Sequence, residues 1–136
     1  MARHPTVSIL MNCLNGAPYL QEALNSVMAQ TYTDWEVIFW DSGSTDGSME
    51  IAQTYGKKVH LFHGTPGPLG AARNLALAKA RGRYVAILDC DDWWAPNKLG
   101  CQVHAMEHDP RIGVSYSDGR RMVHRSPYLA LLWRSN

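Results

Sequence analysis

Tyr84-Val85-Ala86-Ile87-Leu88-Asp89-Cys90-Asp91-Asp92 is an apolar run that turns acidic without a spacer. Five apolar residues predict a buried strand over 84–88, and three carboxylates stand where that strand surfaces into a loop. Like charges a few ångströms apart raise one another's pKa, so at neutral pH the cluster is relieved by protonation, by a basic partner or by a divalent cation. Mg²⁺ and Mn²⁺ take carboxylate oxygens and keep room for water and substrate phosphates. A solvated acidic turn normally sits in a polar, lysine-interspersed stretch, whereas this one abuts a strand and runs into Trp93-Trp94. Metal or nucleotide binding is therefore favoured over a bare surface turn.

Upstream, Ala71 to Ala80 is rich in Ala and Leu and ends at Gly82, which predicts a helix with a C-terminal stop. The Pro- and Gly-rich segment 64–70 is a loop, preceded by a short strand over Val59 to His63. Earlier still come a helix from Ser48 to Tyr55, a turn-rich segment Asp41-Ser42-Gly43-Ser44-Thr45-Asp46-Gly47, and a strand over Trp35 to Trp40. Tyr19, Leu20, Ala23, Leu24, Val27 and Met28 recur at helical spacing behind Pro18, and Val7 to Met11 reads as the first strand. Downstream, a helix is expected from Pro96 to His108 and a fifth strand from Ile112 to Tyr116. This alternation predicts an α/β fold with a mostly parallel sheet and helices on both faces, in one domain spanning 1–136. Strand order 3-2-1-4 puts the reversal between the first and fourth strands, where such sheets bind ligands beyond their C-terminal ends. Asn12 to Asn15, Asp41 to Asp46 and Asp89 to Asp92 then converge on one nucleotide.

Composition narrows the function. With 136 residues and 46% apolar content, the chain has material for one sheet and its covering helices. Thirteen basic residues against twelve acidic leave no global field for nucleic acid or an anionic membrane. Cys13, Cys90 and Cys101 lack CxxC spacing, which argues against a disulfide framework or structural zinc and for free thiols in a reducing cytoplasm. No apolar run approaches the length of a membrane span, so membrane association is expected only through segments outside this chain.

Without a GxGxxG fingerprint or a GxxxxGK[ST] loop, dehydrogenase and P-loop readings lose their support. Asp41, an acceptor with no donor of its own, suits a ribose hydroxyl or base imino group, against the alternative that it caps a turn. For Asp46, just before a helix, capping is the preferred reading. Arg73 can reach a phosphate or brace the acidic loop, bracing being the simpler role. His104 and His108 have the spacing of a zinc pair but no third ligand, and read as helix surface.

Together Val7 to Gly16, Ser26 to Tyr32, Asp41 to Ser48, Gly70 to Asn74, Ala80 to Asp92 and Pro96 to Leu99 resemble, in order, the successive blocks of a family 2 glycosyltransferase. The resemblance covers about residues 5 to 117. It implies the Rossmann-like, nucleotide-binding half of a GT-A fold and transfer of a sugar from a nucleotide-diphosphate donor to a saccharide or lipid-linked acceptor hydroxyl, with inversion. Asp89-Cys90-Asp91 takes the place of the DxD motif: Asp91 is expected to ligate Mg²⁺ or Mn²⁺, with Asp89 near the ribose or the metal. Asn12, Asp41 and Arg73 complete the nucleotide-binding set. Ser42 and Leu14 stand where many members carry an aspartate and an aromatic against the base, and the resemblance supplies no general base, the acceptor-binding half being expected outside this chain. The competing readings are a non-catalytic nucleotide-sugar-binding module and, more remotely, a nucleotidyltransferase, which would carry a basic glycine-rich loop after the first strand.

Overall fold

The computed structural model describes residues 3–120. The described residues divide into two compact units, one ending at Gly100 and the other beginning at Cys101. The first contains β1 (Val7–Cys13), α1 (Ala17–Met28), β2 (Trp35–Asp41), α2 (Ser48–Gln53), β3 (Val59–His63), α3 (Leu69–Leu77) and β4 (Tyr84–Ile87). At its end begins α4 (Lys98–His108), which continues into the second.

All strand pairs are parallel and the order is β3-β2-β1-β4, as the alternation and loop placement lead one to expect. Each residue of β1 and β2 is buried, which is why both read as near-continuous apolar runs. On one face Leu10, Ile38 and Trp40 pack with Ala72 and Ala76 of α3, whose small side chains let the helix lie close to the sheet. Ile9, Met11, Val37 and Phe39 alternate to the opposite face and are equally buried. Helix α1 buries Leu20, Ala23, Leu24 and Val27, and its Pro18 sits in the first turn, where a missing N–H costs no helical hydrogen bond.

A polar lock closes the N-terminal end of the sheet. Ser8 Oγ donates to Glu36 Oε1 at 2.7 Å and accepts from the Arg81 and Gly82 N–H groups at 3.1 and 2.8 Å. Arg81 Nε donates to Glu36 Oε2 at 3.1 Å. Burial pushes the Glu36 carboxyl up, but hydrogen bonds from Arg81 and Ser8 and the Arg81 charge more than offset this and hold it below its ordinary value. Gly82 is required here: a Cβ would stand 2.4 Å from the Ser8 nitrogen.

In the second unit Gln102 Nε2 donates to the Ser115 carbonyl at 3.1 Å, and Arg111 pairs with Asp109. The fifth strand expected over Ile112 to Tyr116 is absent: residues 112–120 carry no regular structure. A strand needs a ladder partner as well as apolar residues. Val114 and Tyr116 are 80% and 92% exposed, and no described strand pairs with this stretch. The expected helices also differ in their ends: the second stops at Gln53, and the third, expected over Ala71 to Ala80, runs from Leu69 to Leu77, starting inside the expected 64–70 loop.

Candidate functional site

Beyond the C-terminal ends of β1 and β2, two loops are laced into one body. The Asn15 N–H donates to Ser44 Oγ and the Thr45 N–H to Asn15 Oδ1, both at 2.9 Å. The Gly16 N–H donates to Ser48 Oγ at 3.1 Å and the Ala17 N–H to Asp46 Oδ2 at 2.9 Å. Asp46 also accepts from the Ser48 N–H and hydroxyl, so one carboxylate ties the starts of α1 and α2, as its preferred capping reading predicts. Gly43 and Gly47 make the turn with φ near +90°, a backbone that L side chains rarely adopt.

Asp41 is 2% exposed, and both its oxygens accept from the Ser44 N–H at 3.2 Å, with His63 Nδ1 3.8 Å away. The turn-forming role is therefore present in the resting protein, and each oxygen keeps further lone-pair capacity. Asn12, opposite Trp40 in the β1–β2 register, is 7% exposed, and neither Oδ1 nor Nδ2 has a hydrogen-bond partner. Leaving a buried amide unsatisfied costs about 1–3 kcal/mol per group and calls for an explanation.

Across the sheet reversal, β4 ends and the acidic turn begins. Arg73 Nη2 donates to Asp89 Oδ1 at 2.6 Å, the bracing contact, and leaves Asp89 Oδ2 as the freer oxygen for a metal. Arg73 Nε is buried and unpartnered. Asp91 is exposed and pairs with no described residue. The Asp92 carboxyl is pushed up by burial and then by the charges of Asp91 and Asp89. Trp94 is buried with Lys98 over its ring, while Trp93 is about half exposed beside the carboxylates. The His104 and His108 rings lie 3.8 Å apart on α4, tilted by 35°.

A hard divalent cation typically takes one or two carboxylates, several waters and substrate phosphates. Asp91 and the second oxygen of Asp89 match that open donor set. No closed cage competes with it, since among the described residues no three His, Cys, Asp or Glu side chains group around a common point. A cavity of about 450 Å³ lies instead at the other end of the sheet, lined by Arg3, Asp34, Glu36, His60 and Arg81 among others, where Glu36 and Arg81 already satisfy each other.

Three features were not foreseen: the lacing of the first two loops, the orphaned Asn12 amide, and the meeting of Cys13 with Cys90. In the third, Cys13 ends β1, Cys90 lies in the turn after β4, and both sulfurs reach the α1 entry loop at Gly16. The neighbouring Cys90 thiol, opposed by burial and helped by Ser48, the Gly16 backbone and Ser44, lowers the Cys13 thiol to about 7, while Cys13, burial and the Asp91 charge push the Cys90 thiol up.

Comparison with known proteins gives this geometry a family. The model of glycosyl transferase family 2 matches residues 8–131. A putative teichuronic acid biosynthesis glycosyltransferase, TuaG of Bacillus subtilis, is 40% identical over 106 residues, covering 75% of this chain and 42% of that protein. An uncharacterized glycosyltransferase of Rickettsia bellii is 41% identical over 105 residues, covering 76% of this chain and 15% of the relative. Among solved structures, S. aureus TarS 1-349 in complex with UDP-GlcNAc superposes with a TM-score of 0.72 at 28% identity, covering 76% of this chain and 31% of TarS. The mannosyltransferase PcManGT from Pyrobaculum calidifontis, in complex with GDP-Man and Mn²⁺, gives a TM-score of 0.74 at 29% identity, covering 82% of this chain and 34% of that one. The chain thus spans well under half the length of these relatives, and its sheet is that of the GT-A glycosyltransferases. With the family model matched over nearly its whole length, the chain belongs to glycosyl transferase family 2.

Proposed function

We propose that this chain is the donor-binding part of a glycosyltransferase that moves a sugar from a nucleotide diphosphate to a saccharide or lipid-linked hydroxyl, with inversion. The observation that carries this reading is the Asn12 amide, buried and unpartnered at the sheet reversal between the Asp41 loop and the acidic turn. A base or ribose edge offers the donor and acceptor that amide lacks. Asp41 accepts from the ribose or base, while Arg73 holds Asp89 in place and Asp91 faces the diphosphate. Asp91, with the remaining Asp89 oxygen, would hold Mg²⁺ or Mn²⁺, and the PcManGT complex with GDP-Man and Mn²⁺ supports that assignment. Bound there, the cation would neutralise charge gathering on the diphosphate as the sugar departs. The free thiols among the described residues support a cytoplasmic setting.

Calorimetric titration of the chain with UDP and GDP tests the reading. Expected are micromolar to millimolar dissociation constants that tighten with Mn²⁺ and weaken at least tenfold in Asp91→Ala. Affinity indifferent to both Mn²⁺ and Asp91→Ala would overturn it. Slow hydrolysis of a nucleotide sugar separates a catalytic fragment from a module that only binds.

A further inference from the structure

We propose that Cys13 and Cys90 form a redox-active pair, an oxidation site that takes a small disulfide as co-reactant and closes reversibly into a Cys13–Cys90 disulfide. The claim rests on placement and does not depend on what the site binds. Cys13 ends β1 and Cys90 lies in the turn three residues past the end of β4, its parallel neighbour. Their side chains converge. A Cβ built on Gly16 would stand 2.6 Å from the Cys90 sulfur and 2.8 Å from the Cys13 sulfur, so both thiols crowd one point on the α1 entry loop, which only a residue without a side chain leaves open.

Access and order of reaction follow from burial. Cys13 is 2% exposed, whereas Cys90 is partly exposed, so the oxidant meets Cys90 first. Cys90 passes its proton to Cys13 and, as thiolate, attacks one sulfur of the small disulfide RS–SR, forming Cys90–S–S–R and expelling RS⁻, which takes that proton. Cys13, left as thiolate, attacks the Cys90 sulfur and expels the second RS⁻, which takes a proton from water. Two protein thiols are oxidised and RS–SR is reduced to two RSH.

The test uses the full chain, reduced, desalted and incubated with rising ratios of oxidised to reduced glutathione, then alkylated and digested. Trypsin separates the cysteines onto peptides ending at Lys57, Lys98 and Arg111. Expected is one linked species joining the first two peptides, with Cys101 alkylated and the link reversed by dithiothreitol. Cys13→Ser should halt at a glutathione adduct on Cys90, and Cys90→Ser should abolish the link. A bridge involving Cys101, a stable glutathione adduct on wild-type Cys90, or full alkylation of all three thiols after oxidation would each overturn the pairing.

Discussion

Replacing Asn12 by Leu should make the protein more stable and worse at binding. Leu carries two branches where Asn carries Oδ1 and Nδ2, so the shape is nearly kept while both buried polar atoms go. Those atoms are without partners and the residue is 7% exposed. Each unsatisfied group costs about 1–3 kcal/mol, and removing both with a similarly shaped apolar residue returns that cost and adds apolar burial. The two methyl groups are bulkier than the amide they replace, and some repacking strain subtracts. A net gain of about 1–2 kcal/mol is expected, which for a chain of this size raises Tm by roughly 3–7 °C. Thermal unfolding followed by circular dichroism reads the first half of the prediction, and titration with UDP and GDP in Mn²⁺ reads the second, where affinity should fall at least tenfold. A lower Tm would show that the amide is satisfied in the resting protein, and unchanged affinity would remove Asn12 from the site.

Glu36→Gln should cost about 2–3 kcal/mol in urea unfolding, because Ser8 and Arg81 lose a buried carboxylate, with the half-exposed Arg81 limiting the loss. The Glu36 carboxyl is held low in the folded state, so its contribution is present above the unfolded carboxyl pKa and disappears as pH falls through the folded one. Acid titration should therefore show a flatter stability profile in Glu36→Gln, and parallel profiles would refute the assignment. Gly82→Ala should destabilise by about 3 kcal/mol or more, since its Cβ meets β1 backbone that cannot step aside; a normal Tm would contradict this. Closing the loop from Cys13 to Cys90 should raise the urea midpoint by the equivalent of about 4 kcal/mol on chain-entropy grounds, and a lower midpoint would mean that the bridge strains the sheet.

Elements of the first unit were legible because their signals are local. Apolar runs marked β1, β2, β3 and β4, and Pro18 marked the start of α1, whereas Gly82, read as a helix stop, lies five residues past the end of α3 and instead makes room for β1. The strand order followed from where the polar loops had to gather. Ile112 to Tyr116 misled because apolar content says nothing about whether a partner strand exists. Arg73 bracing Asp89 was foreseeable from charge and nearness in sequence, whereas the Glu36–Ser8–Arg81 lock joins residues far apart in the chain and becomes visible only once the β1–β2 and β1–β4 registers are known. Cys13 and Cys90 are likewise far apart in the chain and meet because β4 lies beside β1.

Because Asn15, Gly16 and Ala17 hang from Ser44, Thr45, Asp46 and Ser48, the segments after β1 and β2 form a matched set. Chimeras that graft only one of them from a relative would leave amide donors stranded, so a recombination library aimed at new donor preferences has to exchange residues 14–17 and 42–48 as a single cassette.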